Sequence, residues 1–150
     1  GSLYINGRGV PKDWLTAYKW MAKAAEGGHA DAFAPVAGAY LEGTYLPQDY
    51  KKAIYFLEKA GANNDDRALL ILATMYFLGR GVEPSDEKSF EYALKAAQLG
   101  NVKAMVMVAR DYLIGMAVEG DRAKAREWLL KAHAKGSTDA EKLLRQEGWL

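Results

Sequence analysis

The hydrophobic and polar positions of this chain follow a pattern with two periods. Within short segments, apolar residues recur at i, i+3, i+4 and i+7, as Ala17, Trp20, Met21 and Ala24 do. This spacing is that of the buried face of an amphipathic helix. Over a longer distance the whole pattern returns every 36 residues. A fixed period in the range of about 20–50 residues indicates an array of structural repeats.

Four columns of residues, each with members 36 positions apart, define the repeat. The first column is tyrosine and the second is glycine, while the third is aromatic and the fourth is lysine followed by alanine. In the same order, the columns contain Tyr4, Tyr40, Tyr76 and Tyr112; Gly7, Gly43, Gly79 and Gly115; Trp20, Phe56, Tyr92 and Trp128; and Lys23, Lys59, Lys95 and Lys131. This agreement in register predicts that the copies fold alike.

Each copy predicts two helices, here called A and B, joined by a glycine turn. A residue that can cap a helix start precedes each B helix, because its side chain accepts hydrogen bonds from the free N–H groups there. Glycine or asparagine follows the end of each B helix. These positions hold Asp13, Asp49, Ser85 and Asp121 at the start, and Gly28, Asn64, Gly100 and Gly136 at the end. The predicted A helices cover 31–42, 67–78 and 103–114, with a last one from Asp139, and the B helices cover 13–26, 49–61, 86–98 and 121–135.

These elements predict an all-α fold, an α-solenoid of antiparallel helix pairs. One helix pair has too little apolar surface to bury alone, so neighbouring copies must stack. We expect one domain over 1–150, made of a half repeat at 1–28, repeats at 29–64, 65–100 and 101–136, and a half repeat at 137–150. Because the first copy begins inside its A helix, which ends at 3–6, the sequence is expected to be a fragment of a longer chain.

Two departures from the repeat are expected to affect local geometry. Pro35 lies about one turn inside a predicted A helix, where proline is expected to loosen the first turn. Tyr45 and Ala117 replace the second glycine of the turn, which is Gly81 in the third copy. The sequence therefore leaves the geometry of these two turns open. The predicted fold does not depend on it.

Composition removes several classes of function. The 150 residues are 50% hydrophobic and 26% charged, with a net charge of +1 and no cysteine. The small net charge gives no reason to expect nucleic acid or an acidic membrane surface as the partner. The absence of cysteine excludes disulfides and thiolate metal sites. No run of about 18 apolar residues exists, so we expect no insertion into a membrane.

No set of residues indicates catalysis, a metal or a cofactor. His29 follows a helix end and His133 lies at the end of a B helix, and neither has a partner at metal-ligand spacing. The Gly-Arg-Gly turns at 7–9 and 79–81 follow predicted helices rather than strands, which argues against a dinucleotide site. Ser85 and Ser89 are explained by the repeat columns. We therefore expect no enzyme activity, no cofactor and no bound metal.

The repeat itself resembles a known family. Its pattern is A-x3-[LV]-A-x2-Y-x2-G-x-G-V, then D-x3-A-x2-W-x2-KAA and a closing G-N, which is similar to the Sel-one-like repeat (SLR) of the tetratricopeptide (TPR) superfamily. The segments 79–82 and 95–97 match it best, and the resemblance covers nearly the whole chain. It implies a right-handed superhelix whose A helices line the concave face. It also implies a bacterial adaptor that holds other proteins, and the compartment, periplasm or cytoplasm, is left open.

The A-helix positions that the repeat does not explain predict the binding surface. The residue after each conserved tyrosine forms an apolar ladder, and basic residues lie along one edge. The predicted partner-binding residues are the apolar Leu41, Phe77, Leu78, Leu113 and Ile114, and the basic Arg67, Lys103 and Arg110, which would select acidic groups. An amphipathic helix or an extended peptide with acidic flanks would fit such a surface. The alternative is that the ladder packs against the adjacent helix as core.

We therefore predict a scaffold or adaptor that binds a protein or peptide on the concave A-helix face. Two alternatives stay open from the sequence. One is an immunity-type inhibitor that occludes a bacterial toxin, and the other is a purely structural spacer within a longer protein. The spacer hypothesis predicts that polar substitutions in the ladder change stability without changing binding.

Overall fold

The computed structural model describes residues 11–150, and every regular element in this part of the chain is helical. It contains a 3-10 helix at Ala30–Ala32 and eight α-helices. The α-helices are α1 (Pro11–Glu26), α2 (Phe33–Glu42), α3 (Tyr50–Ala62), α4 (Asp66–Leu78), α5 (Asp86–Gln98), α6 (Val102–Ile114), α7 (Arg122–Ala134) and α8 (Thr138–Gln146). The predicted all-α repeat fold is confirmed. The predicted helix end at 3–6 and the turn at 7–10 lie outside the described residues.

The even-numbered helices are the predicted A helices and the odd-numbered ones are the B helices. Their bounds agree with the prediction to within two residues. Helix α1 begins at Pro11, so the expected cap Asp13 lies in its first turn. Helix α2 starts irregularly, as expected from Pro35, because the 3-10 helix precedes it and Ala32 supplies no side-chain cap.

The elements group into two compact units, and the first ends at Asn63. In this unit the ring of Tyr40 on α2 stacks on Phe56 of α3, with the ring centroids 6.2 Å apart. Ala37 and Ala53, on the same two helices, are completely buried. The small residues therefore let the two helices approach closely, and the aromatic column fills the space beside them.

The second unit, Asn64–Leu150, contains α4 to α8. Each helix packs against the next one in the sequence. Leu72, Leu129 and Leu144 are fully buried there. Tyr76 stacks on Tyr92 with a centroid distance of 5.6 Å, which repeats the aromatic contact of the first unit.

A backbone hydrogen bond closes each A–B pair for which residues 11–150 include both helices. The N–H of the residue before the B helix donates to the carbonyl of the conserved tyrosine. The three donor–acceptor pairs are Asp49 to Tyr40 at 2.9 Å, Ser85 to Tyr76 at 2.9 Å and Asp121 to Tyr112 at 3.0 Å. The side chains of the same three residues accept the N–H of the third helical residue, as predicted for N-caps. One residue therefore both ends the turn and starts the B helix.

Residues with positive φ end the helices where the glycine columns predict them. Gly79 follows α4 with φ +73°, and a Cβ on it would lie 2.5 Å from Cγ of Pro84. Asn64, in the second glycine column, has φ +64° and is the only non-glycine residue with positive φ in the described part of the chain. Gly81 has a positive φ of +74°, whereas Tyr45 and Ala117, at the equivalent positions, do not have positive φ. The backbone of their turns therefore differs from that of the third copy.

Lysine side chains lie over aromatic rings at repeated positions. The predicted lysine column follows the aromatic column by three residues, and its ammonium groups lie 5.0 Å from the Trp20 ring centroid, 5.8 Å from Tyr92 and 4.7 Å from Trp128. A second column covers the conserved tyrosines, with Lys52, Lys88 and Lys124 at 5.4, 5.3 and 5.5 Å from Tyr40, Tyr76 and Tyr112. Each contact of this kind contributes about 0.5–1 kcal/mol at an exposed site.

Two glycine substitutions test how tightly the turn is constrained. Gly136→Ala places a Cβ in open space at φ +90°, so it is expected to lower the free energy of unfolding by about 1–2 kcal/mol from backbone strain alone. Gly79→Ala adds a clash with Pro84, and the expected loss is about 2–4 kcal/mol. Urea denaturation followed by circular dichroism measures both, and equal losses would contradict a turn held by the Pro84 contact.

Candidate functional site

The A helices α4 and α6 of two successive copies form the candidate site. The side chain of Asn101 holds their starts together, because its amide nitrogen donates to Oδ2 of Asp66 at 3.0 Å. Its carbonyl oxygen accepts the N–H of Ala104 at 2.9 Å and so caps α6. The amide thus links the first turn of α4 to the first turn of α6.

Three of the predicted apolar binding residues are exposed, and they are called the apolar strip here. Phe77 is 61% exposed, Leu78 is 49% exposed and Ile114 is 64% exposed. Tyr76 is buried, and successive residues of an α-helix are turned by about 100°. On α4 the two residues that follow the inward Tyr76 therefore lie on the outer side of the helix end.

The other two predicted apolar residues are placed differently. Leu41 and Leu113 are half-buried, and Leu113 packs against the hydrophobic core of the second unit. Leu41 belongs to the first unit. The five predicted apolar residues therefore differ in exposure. Phe77, Leu78 and Ile114 face solvent, whereas Leu41 is half-buried and Leu113 packs against the core.

The predicted basic residues Arg67, Lys103 and Arg110 are all exposed. Two of them line a cleft of about 370 Å³, called the Lys103 cleft here. Its lining consists of Leu70 and Thr74 of α4, Lys103, Val106, Met107 and Arg110 of α6, and Asp139 of α8. Arg67 is not among the lining residues.

A second cleft of about 190 Å³ lies beside the apolar strip and is called the Asp111 cleft here. Phe77 of α4, Ser89 of α5, and Met107, Arg110, Asp111 and Ile114 of α6 line it. The structure thus brings the predicted residues Phe77, Arg110 and Ile114 together in one place. Leu78 and Leu113 line neither cleft.

Met107 and Asp111 are lining residues that the sequence reasoning missed. They were overlooked because the ladder was read along the 36-residue columns rather than along the helix. Met107, Arg110, Asp111 and Ile114 are spaced i, i+3, i+4 and i+7, which places them on one helical face. That spacing, applied from Ile114, would have identified both residues. Met116, 76% exposed in the following turn, was also missed.

Asp111 has an unusual electrostatic environment. The side chain is half-buried, and burial, with a smaller contribution from the nearby negative charge of Asp86, raises its pKa from 3.8 to about 6. No hydrogen bond or ion pair of this side chain occurs within residues 11–150. A carboxylate that is partly desolvated and unpaired is a feature that often accompanies functional sites.

The described part of the chain contains no cluster of histidine, cysteine, aspartate or glutamate that could hold a metal ion. His29 is exposed at the start of the 3-10 helix, and His133 is half-buried near the end of α7. Within residues 11–150, no helix combines the length and the apolar character needed to cross a membrane. The chemistry available at the candidate site is therefore that of apolar contact and charge.

Comparison with known families identifies the repeat. The Sel1 repeat matches residues 1–29, 36–65, 66–101 and 102–137, which is most of the chain. The chain belongs to the Sel1 repeat family. This is the Sel-one-like repeat anticipated from the sequence, and it places the protein in the TPR-like superfamily. No curated protein matches the sequence.

Solved structures show the same repeat fold. A Sel1 repeat protein from Oxalobacter formigenes is 35% identical, with a TM-score of 0.77 over 84% of this chain and 95% of that one. A protective antigen of uropathogenic Escherichia coli with an SLR fold is 31% identical, with a TM-score of 0.82, over 91% of this chain and 29% of that one. Helicobacter pylori cysteine-rich protein B is similar in fold, at 24% identity and a TM-score of 0.69, over 92% of this chain and 99% of that one.

Proteins with Sel1 repeats are generally non-catalytic scaffolds for protein interaction. This chain has no cysteine, so its repeats are held by packing, helix caps and hydrogen bonds without disulfides. The residues that recur in every Sel1 copy explain the helices and turns. The apolar strip and the two clefts involve residues that change between copies.

The pKa of Asp111 predicts an unusual dependence of stability on pH. A pKa raised from 3.8 to about 6 means that the folded protein holds this proton more tightly than the unfolded chain. The contribution to stability is complete below about pH 4 and is lost as the pH rises through about 6. Asp111→Asn is therefore expected to raise the free energy of unfolding at pH 7.5 by about 1–2 kcal/mol, after allowance for screening by solvent. At pH 4 the gain should be much smaller.

Urea denaturation at the two pH values measures this difference. Glu91→Gln removes the same charge from an exposed position on α5 and serves as the control, with little change expected at either pH. A loss of stability in Asp111→Asn at pH 7.5 would mean that the carboxylate makes a stabilising contact, which contradicts the environment described above.

Proposed function

We propose that this Sel1 repeat protein binds another protein or a peptide through the exposed face of α4 and α6. The observation that carries the proposal is the exposure of the apolar strip, in which Phe77 and Ile114 are each more than 60% exposed. Burying one large apolar side chain is worth roughly 1.5–3 kcal/mol. A partner that covered the strip would gain this free energy, and exposed apolar surface of this kind usually marks an interaction site.

The form of the two clefts favours a macromolecular partner. A bound small molecule usually has about 70–90% of its surface buried in a pocket. Phe77 and Ile114 line the Asp111 cleft while more than half of each side chain is exposed. The clefts are therefore open grooves beside an apolar strip, which suit the projecting side chains of a helix or an extended peptide.

The charges of the larger groove supply a second element of recognition. Lys103 and Arg110 are exposed and line the Lys103 cleft, together with a single acidic residue, Asp139. They lie seven positions apart on α6, so they are on the same helical face about 10 Å apart along the axis. We infer that they select acidic groups on the partner. Contacts of this type at an exposed surface weaken as salt concentration rises.

The same observations favour binding over the spacer hypothesis. A spacer requires stacked helices and a polar surface, and exposed phenylalanine and isoleucine side chains contribute nothing to either. They also raise the tendency to aggregate. A binding role explains why these apolar side chains are exposed, whereas a purely structural role leaves their exposure without an explanation.

Substitution of the apolar strip tests the proposal. In the double variant Phe77→Asp/Ile114→Asp, both changes are at exposed positions, so helicity and the melting temperature are expected to stay close to those of the native protein. Affinity for a protein captured from the source organism is expected to fall by at least about tenfold, as at interaction hot spots. Leu113 is unsuitable for this purpose because it packs against the core.

The matched control is Leu99→Asp/Leu130→Asp. These leucines are also exposed but lie at the end of α5 and on α7, away from the strip. The captured protein should remain bound to this variant. If binding survives in the strip variant, or disappears equally in both variants, the A-helix face is not the binding surface. Measurement by isothermal titration against the purified partner gives the two affinities.

A further inference from the structure

The position of Asp111 departs from the repeat in a way that the fold does not require. The equivalent residues of the two preceding copies are Ala39 and Met75, which are 6% and 3% exposed. The column is therefore apolar and buried in the two preceding copies, whereas in the last copy it holds Glu147, which pairs with Arg122 at 2.9 Å. Asp111 places a carboxylate there, at a half-buried position.

No described residue offsets the charge of that carboxylate. Phe77 of α4 and Ser89 of α5 line the cleft, and both side chains are uncharged. The charged group that acts on Asp111 from α5 is Asp86, whose negative charge has the same sign. Arg110, the neighbouring residue of α6, lines the cleft but forms no ion pair with Asp111 among the described residues. The site thus lacks a cation close enough to pair with the carboxylate.

The walls of the cleft suit a long side chain with a charged end. Phe77 offers an aromatic ring, and Met107 and Ile114 offer aliphatic surface. Lysine and arginine have apolar stems that pack on such surfaces and cationic ends that hydrogen-bond to carboxylates. Aromatic rings also attract cations. Both parts of a basic side chain therefore find a complementary partner in this cleft.

We propose that the Asp111 cleft binds a lysine or arginine side chain of the partner protein. Asp111 accepts hydrogen bonds from the cationic end, while Phe77 and Ile114 pack against the stem. This inference rests on the proposed function and specifies the chemistry of the partner. Together with the Lys103 cleft, it describes a partner segment that carries a basic residue at one position and an acidic residue at another.

The proposal has a consequence for pH. Only the ionised carboxylate attracts a cation, and burial together with Asp86 raises the pKa of Asp111 to about 6. The free protein is therefore largely protonated at this position below pH 6, and binding must release that proton. The affinity for a partner with a basic residue should decrease as the pH falls from about 7 to 5. Asp111→Asn should remove this part of the pH dependence.

A random peptide library displayed on phage provides the probe. Selection on the native protein, with an uncharged strip variant, Phe77→Ser/Ile114→Ser, used to remove background binders, should enrich peptides with lysine or arginine at a constant position. Synthetic copies of the enriched peptides should bind Asp111→Asn at least about tenfold more weakly than the native protein, and Glu91→Gln equally well. Replacing the basic residue of the peptide by methionine should weaken binding to the native protein but have little further effect on Asp111→Asn.

The possible results separate the two proposals. Enriched peptides without a basic residue, or with one that is insensitive to Asp111→Asn, would overturn the present inference and leave the proposed function intact. A failure to enrich any peptide relative to the uncharged strip variant would count against the proposed function as well. Because Asp111→Asn is expected to be more stable than the native protein at neutral pH, weaker binding to it is not explained by unfolding.

Discussion

The hydrogen bond between the carboxyl end of each A helix and the start of the following B helix governs the rest of this structure. It joins the carbonyl of Tyr40, Tyr76 or Tyr112 to the N–H of the residue that caps the next helix, at 2.9–3.0 Å. A left-handed glycine allows the chain to turn back within a few residues. With the turn fixed, the tyrosine points inward in the first two pairs, and the residue after it has a defined direction. The constraint sets the direction of these residues, and the neighbouring helices decide how exposed each of them is.

Much of the fold was predictable because the signals are local. Caps, glycine columns and helical periodicity act within a few residues, and the 36-residue period repeats each signal several times. Asn64 illustrates this: its place in a glycine column predicted a positive φ, and the structure has +64°. The exposure of the ladder was less predictable. Phe77 and Leu113 share a column, yet one is exposed and the other packs on the core, because depth depends on neighbours from other helices.

The candidate site lies where the repeat symmetry is broken. Tyrosine, the small residues and the covering lysines recur in the three complete repeats and account for packing. Arg110 stands in the column of Gly38 and Thr74, and Met116 in that of Thr44 and Arg80. Of these two, the sequence predicted Arg110 but not Met116, because column identity mainly finds the residues that stay constant. The residues along one helical face, read at i, i+3, i+4 and i+7, carry the information that the columns do not.

Asp111 connects stability with recognition in this molecule. A half-buried carboxylate with a pKa raised to about 6 opposes folding at neutral pH, and its column is apolar in the two preceding copies. A position under selection for packing alone would hold alanine or methionine, as Ala39 and Met75 show. Natural proteins commonly sacrifice stability at the surfaces that bind their partners. The carboxylate of Asp111 is already partly desolvated in the free protein. In the proposed complex, a cation that enters the cleft therefore meets a smaller desolvation cost at this carboxylate than at a fully hydrated one.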